Sequence, residues 1–416
     1  MSLLLKNALI LDLQSPYHNK KKDIFIKNGL IESFENHSSK QTIDCEGALV
    51  TPGFFDLNAS FCDPGLEFRE DIQSGSLSAS SAGFTDVNLL PDTKPVIQSK
   101  SDVEYILARQ TKAVDLHISA AISENLEGEN LTEMIDLSRA GAESFSEGDG
   151  PIWNTKLLLK ALQYTSQIGV PVFQNARDPH LSNDTHMHEG LVSTSLGLKG
   201  EPSLTEELTI ERDLSVLRYS GGEIHFSKIS TSEAVNLIRK AKKEGLRVTC
   251  DVAIHHLLFV DKSVEGFNSI YKSLPPYRSE SDRKALIRGL SDGTIDAISS
   301  GHRPLDQESK QLEFDLSDPG NTSMQTFFPS LLKVSGIPLE VLIERITHGP
   351  RGVLGIGKTG LIEGSVAKIA ILNKSENWIL DKQSNLSKSN NSPFWGETLT
   401  GKVRATINRD KVTIFK

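Results

Sequence analysis

From residue 53 to residue 300 the chain alternates short apolar runs with longer amphipathic ones, and this alternation limits the possible folds more than any other feature. Strand-like runs fall at 54–60, 84–90, 115–122, 142–146, 170–175, 223–229, 247–254 and 294–300. Runs with helical spacing lie between them, among them 102–112, 204–219, 232–244 and 281–290. Within 232–244, apolar residues recur three and four apart, and Lys240, Lys242 and Lys243 gather at the C-terminal end, where cations suit the helix dipole. Parallel strands need a long crossover, usually a helix. Eight strands, each followed by helix, therefore predict an α/β protein with a (β/α)8 TIM barrel.

The two ends read differently. A strand over 3–11 is followed by a predicted hairpin over 23–34 around Asn28-Gly29, a dipeptide suited to a tight type I′ turn. Thr51-Pro52-Gly53 is a turn signal and marks a boundary. After residue 359 the pattern returns to strand, with a second hairpin over 401–415. The predicted division is a composite β-sandwich domain made of 1–50 plus 359–416, beside a barrel over 51–358. The stretch 382–392, rich in Ser, Asn and Lys, is the expected flexible segment.

Charge and cysteine content narrow the function classes. The 416 residues carry 54 acidic and 45 basic side chains, a net charge of −9, which argues against nucleic acid as a partner. No apolar run approaches the ~20 residues that span a bilayer, and the N-terminal run is broken by Lys6 and Asn7, so neither a membrane span nor a signal peptide is expected. Cys45, Cys62 and Cys250 are far apart, with neither zinc spacing nor a disulfide framework, which points to the reducing cytoplasm.

The stretch 51–65, Thr-Pro-Gly-Phe-Phe-Asp-Leu-Asn-Ala-Ser-Phe-Cys-Asp-Pro-Gly, carries the most chemical information. It resembles the opening strand of dihydroorotases in the amidohydrolase superfamily, which reads P-G-F-x-D-x-H-x-H-x-R-[ED]-P-G. The resemblance runs along most of the chain. Gly83-Phe-Thr-Asp-Val is similar to G-G-F-T-x-V, Leu90-Pro-Asp-Thr-Lys-Pro95 to M-P-N-T-x-P, and His255-His256-Leu257 to H-H-L. Leu274-Pro-Pro-Tyr-Arg278 is similar to N-P-P-L-R, residues 292–298 to D-G-T-I-D-A-I, and residues 387–394 to S-K-x-x-N-[ST]-P-F. The family implies a metal-dependent-hydrolase barrel with a composite terminal β domain. It also implies chemistry in which zinc-bound hydroxide attacks a ring carbonyl while an aspartate on the eighth strand moves the proton.

The positions this chemistry needs are filled by other residues. Where the resemblance implies metal ligands, the chain has Asn58 and Ser60 on the first strand, and Glu147 and Gly148 on the fourth. Asn175 stands at the fifth strand's ligand position and Lys228 at the sixth's. Gly301 stands in place of the catalytic aspartate, and Cys62, Asp92, Leu274 and Leu305 stand at substrate-binding positions. An aspartate at 92 would repel an anionic substrate. The reading is a metal-free, catalytically inactive homologue with no cofactor and no catalytic residue.

Lys228 is expected to pair with Glu147 or Asp149 where zinc would lie. His186-Met-His188 repeats the H-x-H spelling in a polar loop and is expected to be solvated. His255 and His256 are expected to pack or hydrogen-bond, and His302 to be buried and hydrogen-bonded.

The resemblance further implies a structural partner role beside aspartate transcarbamoylase in pyrimidine biosynthesis, and a homo-oligomer is expected. Three alternatives remain. One is an active cyclic-amide hydrolase of the dihydroorotase type. Another is an enzyme with zinc-independent chemistry built on Glu147, Asp149, His225, Lys228 and His302. The third is a ligand-binding regulator.

Overall fold

The computed structural model describes residues 2–357 and 359–415. Both ends of the chain build one sheet. Its N-terminal strands are β1 (Ser2–Ile10), β2 (Lys21–Lys27), β3 (Leu30–Ser33), β4 (Gln41–Asp44) and β5 (Leu49–Pro52). Asn28 and Gly29, at φ 50° and 76°, supply the two left-handed residues of the predicted tight turn between β2 and β3.

The barrel strands follow: β6 (Phe54–Ala59), β7 (Phe84–Leu89), β8 (Asp115–Ala121), β9 (Ala142–Ser146) and β10 (Val172–Gln174). A short rim pair, β11 (Met187–His188) and β12 (Gly200–Glu201), interrupts the series. It resumes with β13 (Ile224–Phe226), β14 (Val248–Ala253) and β15 (Ala297–Ser299). The chain returns to the terminal sheet through β16 (Lys368–Ile379), β17 (Thr398–Asn408) and β18 (Lys411–Ile414).

The eight barrel strands pair in the order β15-β14-β13-β10-β9-β8-β7-β6, parallel throughout. The ring closes where Ser60 N–H donates to His302 O at 3.0 Å and Ala59 bridges His302. The predicted strands are all present, each trimmed by a residue or more except β9. Helices Lys100–Arg109, Leu204–Ser220, Ser232–Lys243 and Glu280–Asp292 occupy four of the predicted helical stretches.

Alternation along β6 separates two cores. Phe54 packs outward with Phe84 and Phe327 against the helices, while Phe55 and Leu57 pack with Phe173 and Val353. The pairing of β6 with β7 then shifts register between Asp56 and Ala59, and Asn58 lines the central cavity.

In the terminal sheet, β16 joins β5 in antiparallel register, Ile371 opposite Val50, so the last strands complete the sheet begun by the first. Leu3, Ile24, Val50, Ile369 and Ile407 form its own core. Two polar ties fasten it to the barrel. Lys368 on β16 pairs with Asp86 and Asp115 on barrel strands, and His348 Nε2 meets Asp12 Oδ1 at 2.9 Å.

The stretch 382–392 departs from its expected flexibility. It is a strap pinned over the loops that follow β6 and β15: Glu70 accepts from the Ser387 hydroxyl and Lys388 N–H, and Asn391 Nδ2 donates to Arg303 O and Gly320 O. No helix among the described residues is long and apolar enough to cross a membrane.

Candidate functional site at the barrel mouth

The strand ends converge on Asp251, a fully buried carboxylate on β14. Asn58 Nδ2 donates to its Oδ2 at 2.5 Å, and His225 Nε2 meets the same oxygen at 2.8 Å. Lys228 N–H and Ser299 Oγ donate to Oδ1 at 3.0 and 2.7 Å. Four donors thus satisfy one buried anion. The partnership fixes the Asn58 amide with its nitrogen toward Asp251, and Asn58 Oδ1 has no protein partner. Ser60 Oγ lies 3.7 Å from Cys62 Sγ, which in turn lies 4.0 Å from Pro304 O. Burial pushes the Cys62 thiol up to about 11, so it is an inert thiol at neutral pH.

A second set of charges closes the mouth. Lys228 Nζ lies 2.5 Å from Asp149 Oδ1. Arg303 Nη1 bridges Asp149 Oδ2 at 2.7 Å and Asp92 Oδ2 at 2.5 Å. Burial would raise the Asp149 carboxyl, but the Arg303 and Lys228 charges hold it down at about 2. Of the two partners expected for Lys228, the structure selects Asp149.

Glu147 faces elsewhere. It accepts from Ser123 N–H and Oγ at 2.8 and 2.6 Å, and burial pushes it up to about 7 despite those bonds. Gly148, at φ 62°, passes so close to Asp92 that an added Cβ would lie 2.8 Å from the Asp92 Cβ. Asn175 Nδ2 donates to Gly148 O at 2.8 Å.

On the eighth-strand side Gly301 takes φ 62°. His302 Nδ1 accepts from Ser323 N–H and Met324 N–H, which leaves the proton on Nε2, 3.6 Å from Glu70. His255 and His256 bond to Asn321 Oδ1 and Pro275 O, and burial pushes them down to about 4 and 3, so both are neutral. Leu305 is buried, its N–H donating to Asn391 Oδ1 at 3.2 Å. His188 departs from the solvated expectation: it is half-buried, 3.4 Å from Arg278 Nη1, while His186 lines a cleft at the rim.

Together Asn58, Asp149, Lys228, His255, Leu274 and Arg303 surround a central cavity of about 30 Å³, space for one or two water molecules. Leu274 and Pro319 separate it from the rim cleft of about 440 Å³, which Arg177, His186 and Lys272 also line.

Two features escaped the sequence reading. Asp251 carried no motif. Arg303 was visible as a charge in Gly301-His-Arg-Pro-Leu305, but its reach to two strand ends was not. Among the described residues, the one cluster of three His, Cys, Asp or Glu donors close enough to share an ion is Asp12, Glu344 and His348, at the seam between sheet and barrel and outside the mouth. Its atoms are engaged in hydrogen bonds: Asp12 accepts from Leu361 N–H and Gln14 N–H as well as meeting His348, and Gln14 Nε2 donates to Glu344.

Comparison with known proteins places the chain in a family. Residues 47–234 match the family model described as dihydro-orotase-like. The chain is 35% identical to a dihydroorotase of Pelobacter propionicus and 36% identical to one of Acetivibrio thermocellus, each alignment covering 99% of both chains. The fold is that of an L-hydantoinase from Arthrobacter aurescens, with a TM-score of 0.88 at 22% identity over 100% of this chain and 97% of the other.

Proposed function

The chain belongs to the dihydroorotase-like family of the amidohydrolase superfamily, and from that premise we propose that it is a non-catalytic member whose barrel mouth holds an ion-pair network in place of a metal centre. The observation that carries this reading is the Lys228 ammonium 2.5 Å from Asp149. A catalytic zinc wants imidazole, carboxylate or thiolate donors around an open position. Here the residues do not fit such an ion. Asn58, its nitrogen held on Asp251, offers only a neutral amide oxygen, Glu147 is turned to Ser123, and Asp149 is neutralised by Lys228 and Arg303. Two fixed cations would also repel a divalent one.

An intact scaffold around such a centre fits a structural partner. The proposed role is a cytoplasmic, self-associating companion of aspartate transcarbamoylase. The cavity of about 30 Å³ weighs against both a rewired enzyme and a small-molecule regulator at this site, since either needs a pocket of several hundred cubic ångströms.

The relatives favour a second reading. Two dihydroorotases align over 99% of this chain, which supports a cyclic-amide hydrolase whose mouth rearranges to work.

Zinc analysis of the purified protein with a dihydroorotate ring-opening assay separates the two. The non-catalytic reading expects zinc far below one per chain and no turnover. Stoichiometric zinc with turnover replaces it by the second reading. Co-purification with aspartate transcarbamoylase from the native host tests the partner.

A further inference from the structure

Residues from several strand ends that the family resemblance assigns to substrate now contact the chain's own loop 301–305 or lie next to it. Asp92 holds the Arg303 guanidinium at 2.5 Å, Cys62 Sγ lies 4.0 Å from Pro304 O, and Leu305 is itself buried in that loop. The loop is fixed from behind. Arg303 N–H donates to Asn321 O at 2.8 Å, and Arg303 O accepts from Asn391 Nδ2 at 3.0 Å. Gly320 leaves room for the arginine stem, since a Cβ there would lie 3.1 Å from Arg303 Cβ and Cγ.

Resting on the non-catalytic reading, we propose that Asp92 and Asp149 form a guanidinium-binding site that the chain fills with its own Arg303, so that loop 301–305 acts as a self-inserted stopper of the barrel mouth. One nitrogen of Arg303 is shared between carboxylates from two different strand ends. Asp92 Oδ1 has no protein partner and is a further acceptor for such a cation. The arginine side chain is 32% exposed, so the site lies within reach of small solutes from the rim. An aspartate at 92, which suits no anionic substrate, thereby has its counter-ion inside the molecule.

The test is chemical rescue of the full chain. Arg303→Ala is expected to melt several degrees below wild type. Millimolar guanidinium chloride should restore most of that loss, while equal sodium or tetramethylammonium chloride should not, and wild type should respond to none of them. A folded variant that responds alike to all three salts overturns the proposal.

Asp92→Asn keeps the proposal testable if Arg303→Ala does not fold. Freed from one carboxylate, Arg303 should react with phenylglyoxal several-fold faster than in wild type, with the exposed Arg139 as reference. An unchanged rate also overturns the stopper. Zinc-dependent turnover by wild type would sink the non-catalytic reading instead, whichever way the rescue falls.

Discussion

Lys228 and Asp149 meet at 2.5 Å with side chains 7% and 13% exposed, so the barrel mouth has a buried ion pair at its centre. The two residues come from different strand ends. Asp149 lies three residues beyond β9, and Lys228 two residues beyond β13 in a left-handed backbone position, φ 52°. The pair therefore ties together the two strand ends that flank β10, as a metal shared between strand ends would.

Removing one partner should expose its worth. Orphaning a buried charge costs about 3–5 kcal/mol, but Asp149 keeps Arg303, so Lys228→Met should lose about 1–3 kcal/mol in urea unfolding. No activity should appear or vanish. An unchanged midpoint would mean that the pair contributes nothing to the fold.

At the other end of the barrel His117 should give stability an alkaline limit. Burial alone would lower its pKa, but Asp86 and Glu143, 3.0 and 2.6 Å from its two ring nitrogens, raise it to about 9. A folded-state pKa above the unfolded ~6.5 means that the contribution is complete below ~6.5 and is lost as pH rises through 9. Arg351 and Lys368 keep Asp86 ionised throughout this range. His117→Gln should be less stable than wild type at pH 6, with the gap narrowing by pH 9.5 in paired urea titrations.

The barrel was legible because its signal is periodic. Phe54, Phe84 and Val170 head short runs that are ambiguous singly but read as strands once they alternate with helical stretches, and Asn28-Gly29 names its own turn. The strap was misread for a physical reason. Composition reports what a segment would do alone, and Ser387, Lys388 and Asn391 find partners in Glu70, Arg303 and Gly320, tens to hundreds of residues away. The same limit hid Asp251, whose importance lies in four donors from three strands, β6, β13 and β15. Lys228 was read more fully, because a lone cation at a converging strand end demands an anion, and the resemblance put Glu147 and Asp149 at another strand end of the same ring.

The strap's anchoring can be measured directly, since it carries two trypsin sites, Lys382 and Lys388. Wild type should resist cleavage there, because Lys388 Nζ is held by Asp71 at 2.5 Å and donates to Glu67 O. Ser387→Ala combined with Asn391→Ala removes the side-chain bonds to Glu70, Arg303 and Gly320 and leaves of them only the Lys388 N–H on Glu70. Cleavage at the two lysines should then accelerate several-fold, read by mass spectrometry. Equal rates would show that the strap is held by its packing alone.

Restoring a metal site should require removing the ammonium as well as adding imidazoles. Asn58→His with Ser60→His supplies two nitrogen donors at the end of β6. With Lys228 in place the pair should take up no more zinc than wild type, because the ammonium holds Asp149 beside the would-be ion. Adding Lys228→His removes that charge, supplies a third nitrogen and leaves Asp149 to Arg303 alone, so zinc uptake should rise toward one per chain by metal analysis after dialysis. Turnover of dihydroorotate should still be absent. Gly301, at φ 62°, offers no carboxylate to move the proton, and Arg303 still closes the mouth. Zinc uptake by the Asn58→His, Ser60→His protein with Lys228 unchanged would show that the ammonium does not guard the site.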